Sequence, residues 1–262
     1  MLWQAPLPPK YARMSDDELN EAIRRRKTEL GSDLVILGHH YQQDDVVQHA
    51  DFGGDSFKLS QLAAEKVEAA GANYVVFWGV HFMAESAHIL TPDEVAVILP
   101  DLSAGCSMAD MADYDDVLDA WEQIQDVLAD GDDDVRVIPI TYMNSTAAIK
   151  AFVGEHGGAV CTSSNARAVL EWAFAGGEQP VGPAEKIKIM FFPDQHLGRN
   201  TAAEMGYDIH TQMCLWDPHA PEGLGGLEPD DLRRSDVILW KGHCSVHKLF
   251  RPEHVDQVRE QL

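Results

Sequence analysis

The sequence is poor in positive charge, in cysteine and in long apolar runs. Lys and Arg number 20 against 43 Asp and Glu, a formal net charge of −23. Binding nucleic acid draws on clustered cations to neutralise phosphates, and the basic run Arg24-Arg25-Arg26-Lys27 stands alone, so a nucleic-acid partner is excluded. No stretch reaches the roughly 18 apolar residues of a membrane helix, which excludes a membrane-spanning role. The start MLWQAPLPPKYARMSDDE has neither the basic nor the apolar region of an export signal, so the expected location is cytoplasmic. Only four cysteines occur, Cys106, Cys161, Cys214 and Cys244, far apart and without a C-x-x-C pair. A disulfide framework is therefore not expected, and the cysteines are core residues, ligands or nucleophiles.

The acid excess is spread through Asp113–Asp116, Asp132–Asp134 and Glu228–Asp231. Such a surface stays hydrated and repels itself unless salt screens it, which points to a salt-adapted host.

Against these absences stands a regular alternation of elements. Ser15 and Glu18 form a capping box before Leu19, Ala22 and Ile23, predicting a helix over 15–30 that Gly31 stops. The run Leu34-Val35-Ile36-Leu37 has the length of a buried strand and delivers His39-His40-Tyr41 at its end. Helices over about 56–70, 83–90 and 114–130 and strands at 74–78 and 95–99 follow. Strands at 135–140, 159–161 and 187–192 then alternate with helices near 145–154 and 165–175. This order argues for parallel α/β units. Residues 207–236, rich in Pro, Gly and charge, read as a loop or extended excursion, and Val255, Val258 and Leu262 carry helical spacing at the end.

A weak internal echo runs through the pattern. A strand ending in His39-His40-Tyr41, then Ser56, then Cys106, parallels a strand ending in Tyr142-Met143-Asn144, then Ser163, then Cys244. The division is placed at the acidic loop before Val135: residues 1–133 hold the N-terminal helix and a first α/β repeat carrying Cys106, and residues 134–262 a second repeat carrying Cys244.

Chemistry concentrates where these strands end. Cys106 in Ser-Ala-Gly-Cys-Ser-Met and Cys244 in Lys-Gly-His-Cys-Ser-Val-His have small neighbours that let backbone N–H groups approach sulfur, as a cluster-bound thiolate needs. A small buried hydrophobe is the plain alternative for any single cysteine, and it is the reading given to Cys161 and Cys214. His39, His40 and Tyr41 offer a base, a ligand or a donor, or a capping role. Ser56 follows Gly53-Gly54-Asp55 and opens a helix, as an anion site or a plain N-cap. Tyr142, Met143, Asn144 and Ser163 place hydroxyls and amides after strands, where open α/β sheets bind ligands. Asp194 and His196 form an acid/base candidate, with an Asx turn as the alternative for Asp194.

In order, LGHHYQ, FGGDS, AGCSMAD, YMNS, CTSSNA, FFPDQHLGRN and WKGHCSVH resemble the successive signatures of the quinolinate synthases over residues of about 34–250. The resemblance implies pseudo-threefold repeated α/β/α three-layer domains with parallel sheets, of which two repeats are present here. It implies that Cys106 and Cys244 are two of three ligands of a [4Fe–4S] cluster that acts as a Lewis acid, the third cysteine being expected beyond residue 262 in a third repeat. It further implies that His39, Ser56, Tyr142, Met143, Asn144 and Ser163 bind substrate, that Tyr41 and His39 are catalytic, and that His247 lies close to the cluster.

The implied reaction condenses iminoaspartate with dihydroxyacetone phosphate to quinolinate, phosphate and water in NAD biosynthesis, with an aspartate oxidase or dehydrogenase as a transient partner. The 262 residues alone are not expected to complete the cluster or the cavity. Two other readings are open: a zinc- or magnesium-dependent hydrolase or aldolase, which the twelve histidines invite but no H-E-x-x-H supports, and a two-lobed binding protein for a small anion.

Overall fold

The structure is a computed structural model that describes Gln4 and residues 6–261. Contacts divide the chain into two compact units, one ending at Cys106 and the other beginning at Ser107.

The first unit opens with helix α1 (Asp16–Leu30), held by the predicted capping box and ended by Gly31 at φ 57°. Strand β1 (Leu34–His39) leads to the short helix α2 (Asp44–Val47) and strand β2 (Phe52–Gly54). Helix α3 (Ser56–Ala70), strand β3 (Tyr74–Trp78), helix α4 (His81–Leu90) and strand β4 (Ala96–Ile98) complete it. The four strands form a parallel sheet in the order β2-β1-β3-β4. Leu37, Val75 and Phe77 of the sheet and Leu59, Ala63 and Ala87 of the helices are fully buried, each large side chain contributing about 1.5–3 kcal/mol. The apolar run Val35-Ile36-Leu37 of β1 thus follows from burial on both faces.

The second unit starts with helix α5 (Tyr114–Ala129), followed by β5 (Val135–Tyr142), α6 (Ala147–Glu155), β6 (Ala159–Cys161) and α7 (Ala166–Phe174). Then come β7 (Lys186–Phe192), α8 (Gln195–Glu204), β8 (Met213–Trp216), α9 (Pro229–Arg234), β9 (Val237–Trp240) and α10 (Pro252–Gln261). Its parallel sheet has the order β6-β5-β7-β9-β8. Side chains alternate across β7. Ile187, Ile189 and Phe191 pack with Leu170 and Ala173 of α7 and Ala202 of α8. Met190 and Phe192 pack with Val117 and Ile124 of α5, Phe152 of α6 and Leu232 of α9. Two apolar faces of one sheet, each covered by helices, make a three-layer α/β/α arrangement. Both units are all-parallel α/β structures, as the alternation predicted.

The segment 207–236 differs from expectation. Rather than a loop throughout, it contains β8, paired in parallel with β9, and α9, with Pro229 at its start and a Glu228–Asp231 capping box. Four residues of β8 are too short a run to show a period in sequence, and their placement depends on pairing with β9. Helix α5 packs within the second unit, against α6, α9 and β5.

Candidate active site

In both units the polar groups named from sequence emerge at the C-terminal ends of parallel strands. In the first unit β1 ends at His39, which is 7% exposed. Its ring lies with centroids 4.3 Å from His40 and 4.0 Å from Tyr41. The Tyr41 backbone N–H donates to His39 Nδ1 at 3.4 Å, so the neutral ring carries its hydrogen on Nε2. Burial, with the neighbouring His40 adding to it, pushes the His39 pKa down to about 4 against an opposing effect of Asp55. His39 is therefore a neutral donor at pH 7.

Close packing at the end of β1 requires Gly38, where a Cβ would sit 2.8 Å from that of Ala50. Tyr41 is half exposed, and its hydroxyl reaches the Met83 sulfur at 4.0 Å. Burial of the ring raises its phenol above the usual value, and charge on Cys106 raises it further. Cys106 is part-exposed in the loop after β4, a loop held by the His81 N–H donating to the Ala104 carbonyl at 2.9 Å.

Ser56 is the first residue of α3 and not its cap. Asp55 takes the cap, accepting from the Lys58 N–H at 2.9 Å. The expected N-cap alternative for Ser56 is thereby corrected: both residues are good cap formers, and the extended backbone falls on Asp55.

The second unit holds a cavity of about 390 Å³ lined by Tyr142, Ser163, Asp194, His196, Leu197, Asn200, His247 and Lys248. Tyr142 ends β5 and shares a side-chain hydrogen bond with Ser163. Burial pushes the Tyr142 phenol up and that hydrogen bond brings it partly back, while Asp194, Cys161 and Cys244 raise it. Met143 is buried, with its N–H donated to the Cys161 carbonyl at 2.8 Å. Neither Met143 nor Asn144 is among the residues lining the cavity.

Asp194 caps α8. Its Oδ1 accepts the His196 backbone N–H at 2.8 Å, and its Oδ2 lies 3.8 Å from His247 Nδ1. The His196 ring is not bonded to Asp194, so the acid/base pair read from sequence is instead a helix cap. The Asp194 and Gly242 backbones form a bridge, and the Gln195 N–H donates to the Gly242 carbonyl at 3.1 Å. This close approach brings the Cys244 loop beside the Asp194 loop.

Cys244 is part-exposed, and its sulfur accepts the His247 N–H at 3.4 Å. Cys161 and Cys214 are buried, and burial pushes their thiols up to about 12 and about 11. They pack, as expected. Among the described residues no group of three or more His, Cys, Asp or Glu side chains is arranged to hold a metal ion. Arg199, Asn200 and Lys248 were not singled out from sequence. The i, i+3, i+4 spacing of His196, Arg199 and Asn200 after the Asp194 cap was the available signal.

The family model described as "NadA: Quinolinate synthetase A protein" matches residues 21–262. A quinolinate synthase of Corynebacterium glutamicum is 55% identical over 258 residues, covering 98% of this chain and 61% of that protein. A quinolinate synthase of Acidobacterium capsulatum is 55% identical over 249 residues, covering 95% of this chain and 62% of that protein. One of Rhodopirellula baltica is 51% identical over 267 residues, with 98% and 63% covered. The chain thus spans less than two thirds of the length of these curated relatives. Two parallel α/β units with cysteine loops and hydroxyl donors at their strand ends, matched over nearly the whole chain, place this protein in the quinolinate synthetase A family.

Proposed function

We propose that this protein is a quinolinate synthase, a condensing and dehydrating enzyme that joins iminoaspartate to dihydroxyacetone phosphate and releases phosphate and two waters. The observation that supports this reading best, beside family membership, is the cavity that combines the Tyr142–Ser163 hydroxyl pair with His247 and the buried Asp194. Neutral donors suit small anions that must be turned over and released. In this reading His39, Ser56, Tyr142, Met143, Asn144 and Ser163 bind substrate. Tyr41, with His39 as neutral donor beside it, moves protons at the reacting carbons. The two repeats divide near residue 133.

The donor set fits an iron–sulfur cluster at two positions. Cys106 and Cys244 are part-exposed on loops, and the Cys244 sulfur receives a backbone N–H, the kind of contact that favours a thiolate ligand. A [4Fe–4S] cluster held by these two and a further cysteine would supply Lewis-acid iron for the dehydration. A hydrolase or aldolase built on a zinc or magnesium site finds no three-ligand group among the described residues, and no observation favours an anion-binding protein without turnover.

No helix among the described residues is long and apolar enough to cross a membrane. A cytoplasmic location, salt adaptation of the acidic surface and supply of iminoaspartate by an aspartate oxidase or dehydrogenase complete the reading.

The test is anaerobic assay of the whole gene product that contains this chain, with iminoaspartate and dihydroxyacetone phosphate. Quinolinate should form, and both Cys106→Ser and Cys244→Ser should abolish it together with the iron content. A product other than quinolinate, or full iron in both variants, overturns the reading.

A further inference from the structure

His196 and Arg199 lie one turn apart on α8, and Arg199 Nη2 meets His196 Nδ1 at 3.0 Å. A guanidinium has only donors. The ring nitrogen that receives it must therefore be the unprotonated one, and the hydrogen of the neutral imidazole must sit on Nε2. An imidazolium would offer no lone pair to Arg199 and would set two cations in contact. The Asp194 cap on the His196 backbone N–H, at 2.8 Å, fixes the same residue from the other side.

The remaining nitrogen, Nε2, has no hydrogen-bond partner among the described residues, and His196 is part of the cavity wall with Tyr142, Ser163, Asn200 and Lys248. Arg199 itself has no carboxylate at ion-pair distance among the described residues; its other contact is Nε donating to Asn200 Oδ1 at 3.4 Å. Burial of His196 also lowers its pKa, with Asp194 opposing and Arg199, Lys248 and His243 adding to the shift. Every group facing the ring apart from Asp194 thus favours the neutral form.

We propose that His196 is a further ligand-binding residue of this cavity, a neutral Nε2–H donor to an oxyanion oxygen of the substrate, with Arg199 as the positioning residue that locks its tautomer. Arg199 acts through His196 and need not touch the ligand. The oxyanion is a carboxylate or a phosphate group. The inference rests on the proposed function for the identity of the ligand, while the tautomer lock does not depend on it.

The test uses histidine 15N chemical shifts, which separate the protonated from the unprotonated ring nitrogen. In the unliganded protein at pH 7, His196 should show a single Nε2–H tautomer, and Arg199→Met should turn it into a mixture while the Tm stays close to wild type. Either a single Nδ1–H tautomer, or an unchanged tautomer in Arg199→Met, overturns the lock. Inorganic phosphate and pyridine-2,3-dicarboxylate are then titrated separately. The probe that shifts the His196 Nε2–H resonance names the group it holds, and a shift with neither overturns the donor role even where quinolinate is still formed.

A charge-assisted hydrogen bond of about 1.5–3 kcal/mol corresponds to roughly 10–150-fold in affinity. His196→Leu should lose about that for the shifting probe, and His196→Gln, which keeps an N–H donor, should recover most of it. Equal affinity in the Leu and Gln variants sinks the proposal. Absence of quinolinate synthesis in wild type, with the tautomer and titration results intact, would sink the enzyme assignment and leave this inference standing.

Discussion

The second carboxylate oxygen of Asp194 lies 3.8 Å from Nδ1 of His247 while the first holds the N-terminus of α8. One buried side chain, 3% exposed, therefore fixes a helix and faces the cavity at once. The two roles separate by substitution. Asp194→Asn keeps a capping oxygen and should hold stability within about 0.5 kcal/mol, yet losing the charge opposite His247 should cut the proposed quinolinate synthesis by about 10–100-fold. Asp194→Ala should lose both, with about 1 kcal/mol of stability gone. Thermal melts and turnover measured side by side decide; full turnover in the Asn variant would show that the charge is not used.

The four thiols should divide into two classes under alkylation. Cys161 and Cys214 are buried with thiols pushed up to about 12 and about 11, which leaves almost no thiolate near neutrality. Cys106 and Cys244 are part-exposed on loops. Iodoacetamide at pH 8 on the native, metal-free chain should label the latter pair at least ten times faster, read by peptide mass spectrometry. Equal rates for all four would refute the division between ligand and packing cysteines.

Much of this was legible in the sequence because it is local. The Ser15–Glu18 box, the buried run of β1 and the helix–strand alternation each need only neighbours in the chain, and they appear as read. Tyr142 and Ser163 could be placed at strand ends for the same reason. What escaped depends on distant partners. The β8 strand exists because β9 pairs with it, and the Asp55 cap in place of Ser56 is settled by one backbone dihedral. The His196–Arg199 contact lies within one helical turn, but its consequence requires knowing which ring nitrogen faces the cavity.

His39 should titrate far below an ordinary histidine. Burial and His40 hold its folded pKa at about 4, against 6.5 in the unfolded chain. Between those values the unfolded chain binds more protons, so stability rises with pH from about 4 to 6.5 and is level above. In an NMR titration the His39 ring should have its midpoint near 4, and His39→Gln should flatten this part of the stability profile. A midpoint near 6.5 would remove the neutral-donor role at mildly acid pH.

Lys188 is a buried cation in the middle of β7, 3% exposed. Its ammonium donates to the Arg233 carbonyl at 2.8 Å and to the Ser235 carbonyl, the last acceptors of α9, where a positive charge also suits the helix end. Burial lowers its pKa. Lys188→Met keeps the volume and strands two carbonyls, which should cost about 2–4 kcal/mol, read from urea unfolding. A neutral effect would mean that α9 re-pairs its last turn with water.

Gly242 tests whether the close approach of two loops matters to the site. A Cβ there would lie 2.2 Å from the Pro193 carbonyl oxygen, a backbone atom that cannot swing away as a side chain would. Gly242→Ala must therefore move the strand end, breaking the Gln195 N–H contact to the Gly242 carbonyl and shifting the Cys244 loop from the Asp194 loop. The expected cost is about 1–3 kcal/mol, with the iron content of the proposed cluster and the proposed turnover falling together. Gly154→Ala is the control. Gly154 lies inside α6, and nothing comes within 4 Å of its added Cβ, so this change should be neutral or stabilising by about 0.5–1 kcal/mol. If Gly242→Ala behaved like the control in melting and left the iron content of the proposed cluster unchanged, the register between these loops would be set elsewhere, and the Asp194–His247 relationship would lose its structural basis.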